Sequence, residues 1–327
     1  MTSDAVADDA SSWDLVEPCA GSAALTMHLL GATRQLVPYQ GSKWSHRKSL
    51  HQVLLKHGFR GVPSRVTLCD AGPWGTALSA LFCSLRRASV IGHLERLGEE
   101  DPRAVFDRLD NHPCPENVEQ FTAEFLFLQR LAFSGKAVSG VPAGQRTMFG
   151  SSRHWGSPGF NRSSAYGLAA TDVFGAINPM IPSLISALRK MSDTVVMPER
   201  GVLSFQMSAR DLIVYRTGRR VVFFDPPYRG STRYPDGHLA REEVVELAMR
   251  SCRDPDGRYL SDTLVMVAEA EPIDHLVAEG WEAFRIAGPK STSEPFRSKK
   301  EEWVTVSPFL PVLRSSETSP LSLAQVV

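Results

Sequence analysis

Four bulky apolar residues followed at once by Asp-Pro-Pro-Tyr constrain this chain more than any other feature. Val221–Phe224 form an uninterrupted apolar run, which predicts a central parallel strand buried on both faces. Asp225, Pro226, Pro227 and Tyr228 follow directly. Because the carboxyl ends of strands line the ligand crevice in open α/β sheets, this motif places a carboxylate and an aromatic ring at an active edge. The alternative is an ordinary strand-to-loop turn, since the motif is short.

Apolar runs alternate with helical patterns along much of the chain, which predicts an α/β protein with a Rossmann-like sheet and helices on both faces. Besides Val221–Phe224, the predicted strands are Trp13–Val16, Val66–Cys69, Leu264–Ala268 and Trp303–Val306, and the predicted helices are Ser22–Leu30, Trp74–Arg87 and Glu242–Arg250.

The middle of the chain has a different pattern. A helical stripe of Phe121, Phe125, Leu128 and Ala132 is present, but no convincing buried strand. We therefore predict a discontinuous domain of residues 13–90 and 205–312, a mainly helical insertion at 91–204, and flexible tails at 1–12 and 313–327.

Charge and cysteine content exclude several classes of protein. The 327 residues contain 36 basic and 36 acidic side chains, so nucleic acid would have to be bound by a local basic groove rather than by bulk charge. The five cysteines lack any zinc-binding spacing, which favours reduced thiols and no metal site. No signal peptide or run of about 18 apolar residues is present, so we expect a cytoplasmic protein without membrane contact.

A second candidate site follows the first predicted strand, where Glu17, Pro18, Cys19, Ala20, Gly21 and Ser22 lead into a helix. Gly21 allows a ligand to approach the backbone closely, and the helix N-terminus favours an anionic group such as a carboxylate. The alternative is an ordinary strand–turn–helix containing a glycine.

Asp70 ends the second predicted strand. An acid at this position can accept hydrogen bonds from both hydroxyls of a ribose. A lone aspartate after a strand is more often a helix cap, which is the alternative.

Together these residues resemble the Dam-type DNA adenine-N6 methyltransferases, which have an Asp-Pro-Pro-Tyr motif, a Glu-Pro-Phe-Ala-Gly-like cofactor loop and a target-recognition insertion between them. Cys19 stands where that family usually has Phe, so the contact there departs from the pattern. The resemblance is patchy, but it covers most of residues 13–310 and keeps the motif order. Further similar segments are Phe125–Arg130, Phe133–Gly135, Tyr228–Thr232 with Tyr234, and Phe296–Arg297 through Glu302–Thr305.

Another segment, Pro38–Trp44, resembles the family's aromatic-x-Gly-Gly-Lys segment, which contacts the cofactor. In the family this segment precedes the first strand, whereas here it follows the first helix. We expect a relocated segment in which Tyr39, Gly41 and Lys43 reach the cofactor. The alternative is that Lys43 is a surface lysine in a polar loop.

The resemblance implies transfer of the methyl group of S-adenosylmethionine to adenine N6 of a base flipped out of double-stranded DNA. Asp225 and the Pro226 carbonyl would accept hydrogen bonds from the amine, Pro227 would stiffen the turn, and Tyr228 would stack on the base. The implied cofactor-binding residues are Glu17, Pro18, Cys19, Ala20, Gly21, Ser22, Tyr39, Gly41, Lys43, Asp70 and Asp225.

DNA contact is expected mainly in the insertion, where basic and amide side chains alternate with aromatic ones. For each single residue there, a solvated loop position is the alternative. The predicted DNA-binding residues are Arg130, Lys136, Arg146, Arg153, Asn161, Arg162, Arg297 and Lys299.

Two other functions are alternatives to methylation of adenine N6. Cytosine N4 presents the same kind of amine, and an inactive DNA-binding relative would also keep parts of the pattern. A hydrolase or nucleotide kinase is disfavoured, because the chain has no Gly-x-Ser-x-Gly elbow and no phosphate-binding loop. A restriction–modification, orphan or phage enzyme, acting as a monomer or weak dimer in a bacterial cytoplasm, would fit the resemblance.

Overall fold

A mixed seven-stranded sheet organises the described part of this computed structural model, which comprises residues 12–36, 42–110, 115–131, 180–212, 218–226, 239–286 and 302–309. The sheet order is β3-β2-β1-β4-β5-β7-β6, and β7 runs antiparallel to both of its neighbours. The part β3-β2-β1-β4-β5 follows the doubly wound order 3-2-1-4-5, so the α/β prediction is confirmed and the architecture is compatible with a Rossmann-like fold. The strands are β1 (Asp14–Glu17), β2 (Arg65–Asp70), β3 (Val202–Gln206), β4 (Arg220–Phe224), β5 (Thr263–Glu269), β6 (Glu282–Ile286) and β7 (Glu302–Val306).

Nine α-helices and one 3-10 helix lie within the described residues, and none of the nine is long and apolar enough to cross a lipid bilayer. They are α1 (Ala24–Leu29), the 3-10 helix Lys43–His46, α2 (Arg47–Lys56), α3 (Pro73–Leu81), α4 (Ser84–Gly98), α5 (Pro102–Asp110), α6 (Val118–Leu131), α7 (Met180–Thr194), α8 (Arg241–Cys252) and α9 (Asp274–Ala278).

Helices cover both faces of the sheet, as the alternation in β4 shows. Val221 and Phe223 join a core built with α1 to α7, whereas Val222 and Phe224 join a second core built with α8 and α9. Successive side chains of a strand point to opposite faces, so a strand between two helical layers is apolar throughout. The prediction of a central strand buried on both sides is confirmed.

The helices of the predicted insertion are not separate from the sheet domain. Phe106, Phe125 and Leu188, from α5, α6 and α7, belong to the same core as β1, β2 and β4. Two elements lie across the predicted boundaries, since α4 continues across residue 90 and β3 spans residues 204 and 205. β3 lies at one end of the strand order and exposes Leu203 and Phe205, so no buried apolar run marks it in the sequence.

The prediction of a single helix over Trp74–Arg87 is wrong, because the helical conformation is interrupted between α3 and α4. Cys83 is extended (φ −96°, ψ 119°), and Leu85, in the first turn of α4, is 83% exposed. The buried guanidinium of Arg87 donates from Nη1 to the carbonyl of Leu81 at 2.6 Å, so a side chain satisfies the end of α3 where the next helical turn would have done so.

Candidate active site

The end of β1 is fixed to α1 by the buried carboxylate of Glu17. Its Oε1 accepts hydrogen bonds from the backbone N–H of Thr26 at 2.9 Å and from Thr26 Oγ1 at 2.5 Å. Burial raises the pKa of Glu17 to about 7, although the two bonds from Thr26 oppose the rise and the charge of Asp225 adds to it. The N–H of Thr26 is thus used within the protein, and the binding of an anionic group at the start of this six-residue helix stays a prediction.

The loop between β1 and α1 turns through two residues in the left-handed region. Gly21 has φ 48°, and the fully buried Ala23 has φ 50°. A non-glycine residue in this region costs of order 1 kcal/mol, and such strain persists only where the surroundings fix the conformation. Ser22 contributes to that fixation, because its Oγ lies 3.0 Å from Oγ of Ser42, directly before the 3-10 helix.

Asp70, at the end of β2, connects two loops. Its Oδ2 accepts the N–H of Gly21 at 2.9 Å, and its Oδ1 accepts the N–H of Gly72, the N-cap residue of α3, at 2.9 Å. The Asp70 carboxylate thus holds the turn that leads into α3 as well as the loop after β1. Neither bond goes to an N–H within α3, so the helix-cap alternative from the sequence is not confirmed. A carboxylate offers about four acceptor positions, so further hydrogen bonds from a ligand are chemically compatible with these two.

Asp225 follows β4, the strand that pairs with β1 on the side opposite β2. The strand order reverses between these strands, which is where doubly wound folds bind ligands. Lys43 Nζ lies 2.7 Å from Asp225 Oδ1, and the Lys43 side chain is 2% exposed. Lys43 is therefore not a surface lysine, while its contact with a cofactor stays a prediction.

Glu302 and His46 extend this contact into a network. Glu302 Oε2 lies 3.6 Å from Lys43 Nζ and 3.2 Å from His46 Nδ1. Glu302 reaches this edge because β7 pairs with the end of β5, Trp303 lying opposite Glu269. Neither Glu302 nor His46 is among the predicted site residues. The Lys43–His46 spacing of three is a helical repeat that points to a shared face, but only pairing of β7 brings Glu302 there.

The described side chains around Lys43 carry an excess of negative charge. Burial raises the pKa of Asp225 to about 6; Lys43 opposes this rise, and the charges of Glu302 and Glu269 add to it. Burial also raises the pKa of Glu269 at the end of β5. Three carboxylates, those of Asp225, Glu302 and Glu269, thus interact with one lysine, and the arrangement suits a cationic ligand or a group that donates hydrogen bonds.

Cys19 lies close to both Asp70 and Asp225. It is half-buried and packs against the core on the α8 side of the sheet, while its neighbours Pro18 and Ala20 are buried. Burial raises the pKa of the Cys19 thiol well above its usual range, and Asp70 and Asp225 raise it further. Cys19 is consequently a neutral, weakly polar surface where the resembling family has an aromatic ring.

Pro226 is buried beside Asp225, but many predicted site residues fall outside the described residues. Those of the pocket are Tyr39, Gly41, Pro227 and Tyr228, and those of the predicted DNA contact are Lys136, Arg146, Arg153, Asn161, Arg162, Arg297 and Lys299.

Arg130 is the one predicted DNA-binding residue with a described position. It lies half-buried in the last turn of α6, the helix predicted from its apolar stripe. Burial lowers the pKa of Arg130, and the positive charge of Arg34 lowers it further. The two arginines are thus close enough to interact, which creates a local positive charge at this end of α6.

The described histidine, cysteine and acidic side chains include no group of three arranged to hold a metal ion. In comparisons with known proteins, no family model matches this chain, and no curated protein matches it significantly. The fold and site define an α/β protein with a buried acidic site at the point where the strand order reverses.

Proposed function

We propose that this protein is an S-adenosylmethionine-dependent methyltransferase that modifies adenine N6 of a flipped-out base in duplex DNA. One observation carries the proposal: the three motifs of the sequence resemblance meet at one edge of the sheet. The N–H of Gly21 donates to Asp70 at 2.9 Å, and the buried Glu17 lies close enough to Asp225 for the charge of Asp225 to raise the pKa of Glu17. Gly21, Asp70 and Asp225 thus lie at the carboxyl ends of the neighbouring strands β1, β2 and β4.

The residues present fit the cofactor. Gly21 brings backbone without a side chain to the crevice, and Asp70 provides acceptor oxygens of the kind that bind ribose hydroxyls. The excess of carboxylates around Lys43 suits a positively charged sulfonium. S-adenosylmethionine would supply the methyl group here.

The protein's part in transfer is to prepare the amine. Adenine N6 is a weak nucleophile, because its lone pair is conjugated with the ring. Asp225 and the Pro226 carbonyl would accept hydrogen bonds from the NH₂ group, localise its lone pair and stabilise the positive charge that develops during transfer. Holding the amine in line with the methyl group supplies the remaining acceleration, so no covalent enzyme intermediate is required.

Access of the base requires that it leave the DNA stack, which costs a few kcal/mol. Stacking on Tyr228 would offset about 1–3 kcal/mol of this cost. Arg130 and the predicted basic residues of 136–162 and 297–299 would hold the phosphate backbone and select the site.

The test is to measure S-adenosylmethionine binding by calorimetry, and then to incubate the protein with tritiated cofactor and mixed-sequence duplex DNA. Label in N6-methyladenine is the expected result. Label in N4-methylcytosine would support the same pocket but would make cytosine the target base. Absence of both cofactor binding and label would reject the proposal and favour an inactive DNA-binding protein.

A further inference from the structure

Two carboxylates, one directly after β4 and one at the start of β7, share one buried ammonium group. Lys43 Nζ lies 2.7 Å from Asp225 Oδ1 and 3.6 Å from Glu302 Oε2, and that same Glu302 oxygen lies 3.2 Å from His46 Nδ1. Lys43 and His46 begin and end one short 3-10 helix, so the two basic groups are held at a fixed spacing. The four side chains form a continuous series from Asp225 to His46, which we call the Asp225–His46 network.

We propose that Glu302 and His46 are positioning residues of this site, which act through Lys43 to set how Asp225 presents its oxygens to the acceptor amine. The inference rests on the proposed function, because it concerns the same carboxylate. Lys43 on Oδ1 fixes the rotation of the Asp225 carboxyl group and leaves Oδ2 for the amine. A stronger attraction between Lys43 and Glu302 weakens the contact of Lys43 with Asp225 Oδ1.

The charge of His46 decides whether Lys43 pairs mainly with Asp225 or with Glu302. A protonated His46 neutralises Glu302, so Lys43 stays with Asp225 and that carboxyl group stays ionised. A neutral His46 leaves Glu302 negative, and Glu302 then competes for Lys43. Because binding effects are reciprocal, a change at Asp225 must also alter protonation of His46, although the two side chains are joined only through Lys43 and Glu302 in this network.

The groups around the network raise or lower the pKa values of His46 and Asp225. Burial and Lys43 lower the pKa of His46, whereas Glu302 raises it. Ser45 also contacts the ring, its Oγ lying 3.0 Å from His46 Nδ1. On the Asp225 side, Glu302 and Glu269 raise its pKa and Lys43 lowers it, while Glu17 and Cys19 also interact with its charge.

The network can be tested without any enzymatic assay, by following the imidazole resonance of His46 in NMR titrations of the full chain. The resonance is assigned by its loss in His46→Gln. In Asp225→Asn, Lys43 is released toward Glu302, so we expect the pKa of His46 to fall by about one unit, the scale at which groups titrate as a pair. In a Lys43→Met background, Asp225→Asn should leave the pKa of His46 unchanged. An unchanged pKa of His46 in Asp225→Asn alone would overturn the proposal.

Lys43→Met provides the second measurement if Asp225→Asn does not fold. Removal of the ammonium should raise the pKa of His46 by about one unit, and an unaltered value would overturn the proposal. If His46 responds but DNA is never methylated, the network stands and the proposed function fails.

The activity readout uses Glu302→Gln with Glu282→Gln as its matched control. Both are glutamates of the β6–β7 pair, but Glu282 lies at the opposite end and is 59% exposed beside Lys56. Glu302→Gln removes a charge that raises the pKa of Asp225, so the acid limb of the kcat–pH profile should move to lower pH with KM for the cofactor unchanged. Glu282→Gln should leave the limb in place. An unmoved limb in Glu302→Gln would count against the proposal.

Discussion

The N–H of Gly21 donates to the carboxylate of Asp70 at 2.9 Å and so joins the loop after β1 to the end of β2. Because Asp70 also accepts the N–H of Gly72, one side chain orders both loops that would surround a cofactor. We predict that Asp70→Asn weakens binding of S-adenosylmethionine by about tenfold or more, the equivalent of one lost charged hydrogen bond. Calorimetric titration measures this.

Asp256→Asn is the matched control, since Asp256 is exposed in the loop before β5, at the other edge of the sheet. Equal affinities of Asp70→Asn and the control for S-adenosylmethionine would remove Asp70 from the cofactor site.

Glu17 should make the protein less stable as the pH rises. Its pKa lies near 7 in the folded protein and near 4.5 when exposed, so the folded state holds the proton more tightly. Stability from this group is complete below about pH 4.5 and is lost up to about pH 7, a change of about 3 kcal/mol. Glu17→Gln cannot ionise and should therefore gain stability relative to wild type between pH 5 and pH 8, as measured by urea unfolding.

Glu246→Gln on the exposed face of α8 should show no such gain. If the free energies of unfolding of wild type and Glu17→Gln change with pH in parallel, the assignment of a buried, protonated Glu17 is contradicted.

Gly75 is required where α3 meets β3. A Cβ there would lie 2.6 Å from the Cα of Gln206, against backbone that cannot yield. We expect Gly75→Ala to destabilise the protein by about 1–3 kcal/mol through overpacking.

Gly92 in α4 is the control, because a Cβ there meets nothing nearer than an Arg96 side-chain nitrogen at 3.9 Å. Gly92→Ala should stabilise the helix by about 0.5–1 kcal/mol. Thermal unfolding of both variants measures the contrast, and a neutral Gly75→Ala would mean that α3 does not approach β3 so closely.

Methyl transfer should depend on the ionisation of Asp225. Its pKa is raised to about 6, and only the ionised form accepts two hydrogen bonds without donating one. The rate should therefore rise as the pH increases through about 6. A rate that is already constant from pH 5 upward would show that ionisation of Asp225 is not required.

The sequence predicted the central strands well because apolar runs such as Val221–Phe224 are buried on both faces. It missed β3, whose exposed Leu203 and Phe205 carry no such pattern, and it extended α3 through Leu85, since a periodic stripe does not reveal a cap such as Arg87. Local pattern fixes the type of an element better than its ends.

The candidate site was predicted in part. Glu17 and Asp70 end β1 and β2, and Asp225 follows β4, so their meeting at one edge follows from sheet geometry. The contribution of Glu302 could not be predicted, because it depends on insertion of the antiparallel β7 beside β5. That pairing is non-local and leaves no periodic trace in the sequence.

The most direct test of the central claim compares tritium transfer from S-adenosylmethionine to mixed-sequence duplex DNA by wild type, Asp225→Asn and the Asp256→Asn control. We expect N6-methyladenine with wild type and control, and loss of transfer in a folded, cofactor-binding Asp225→Asn. Normal transfer by a folded Asp225→Asn variant would contradict it.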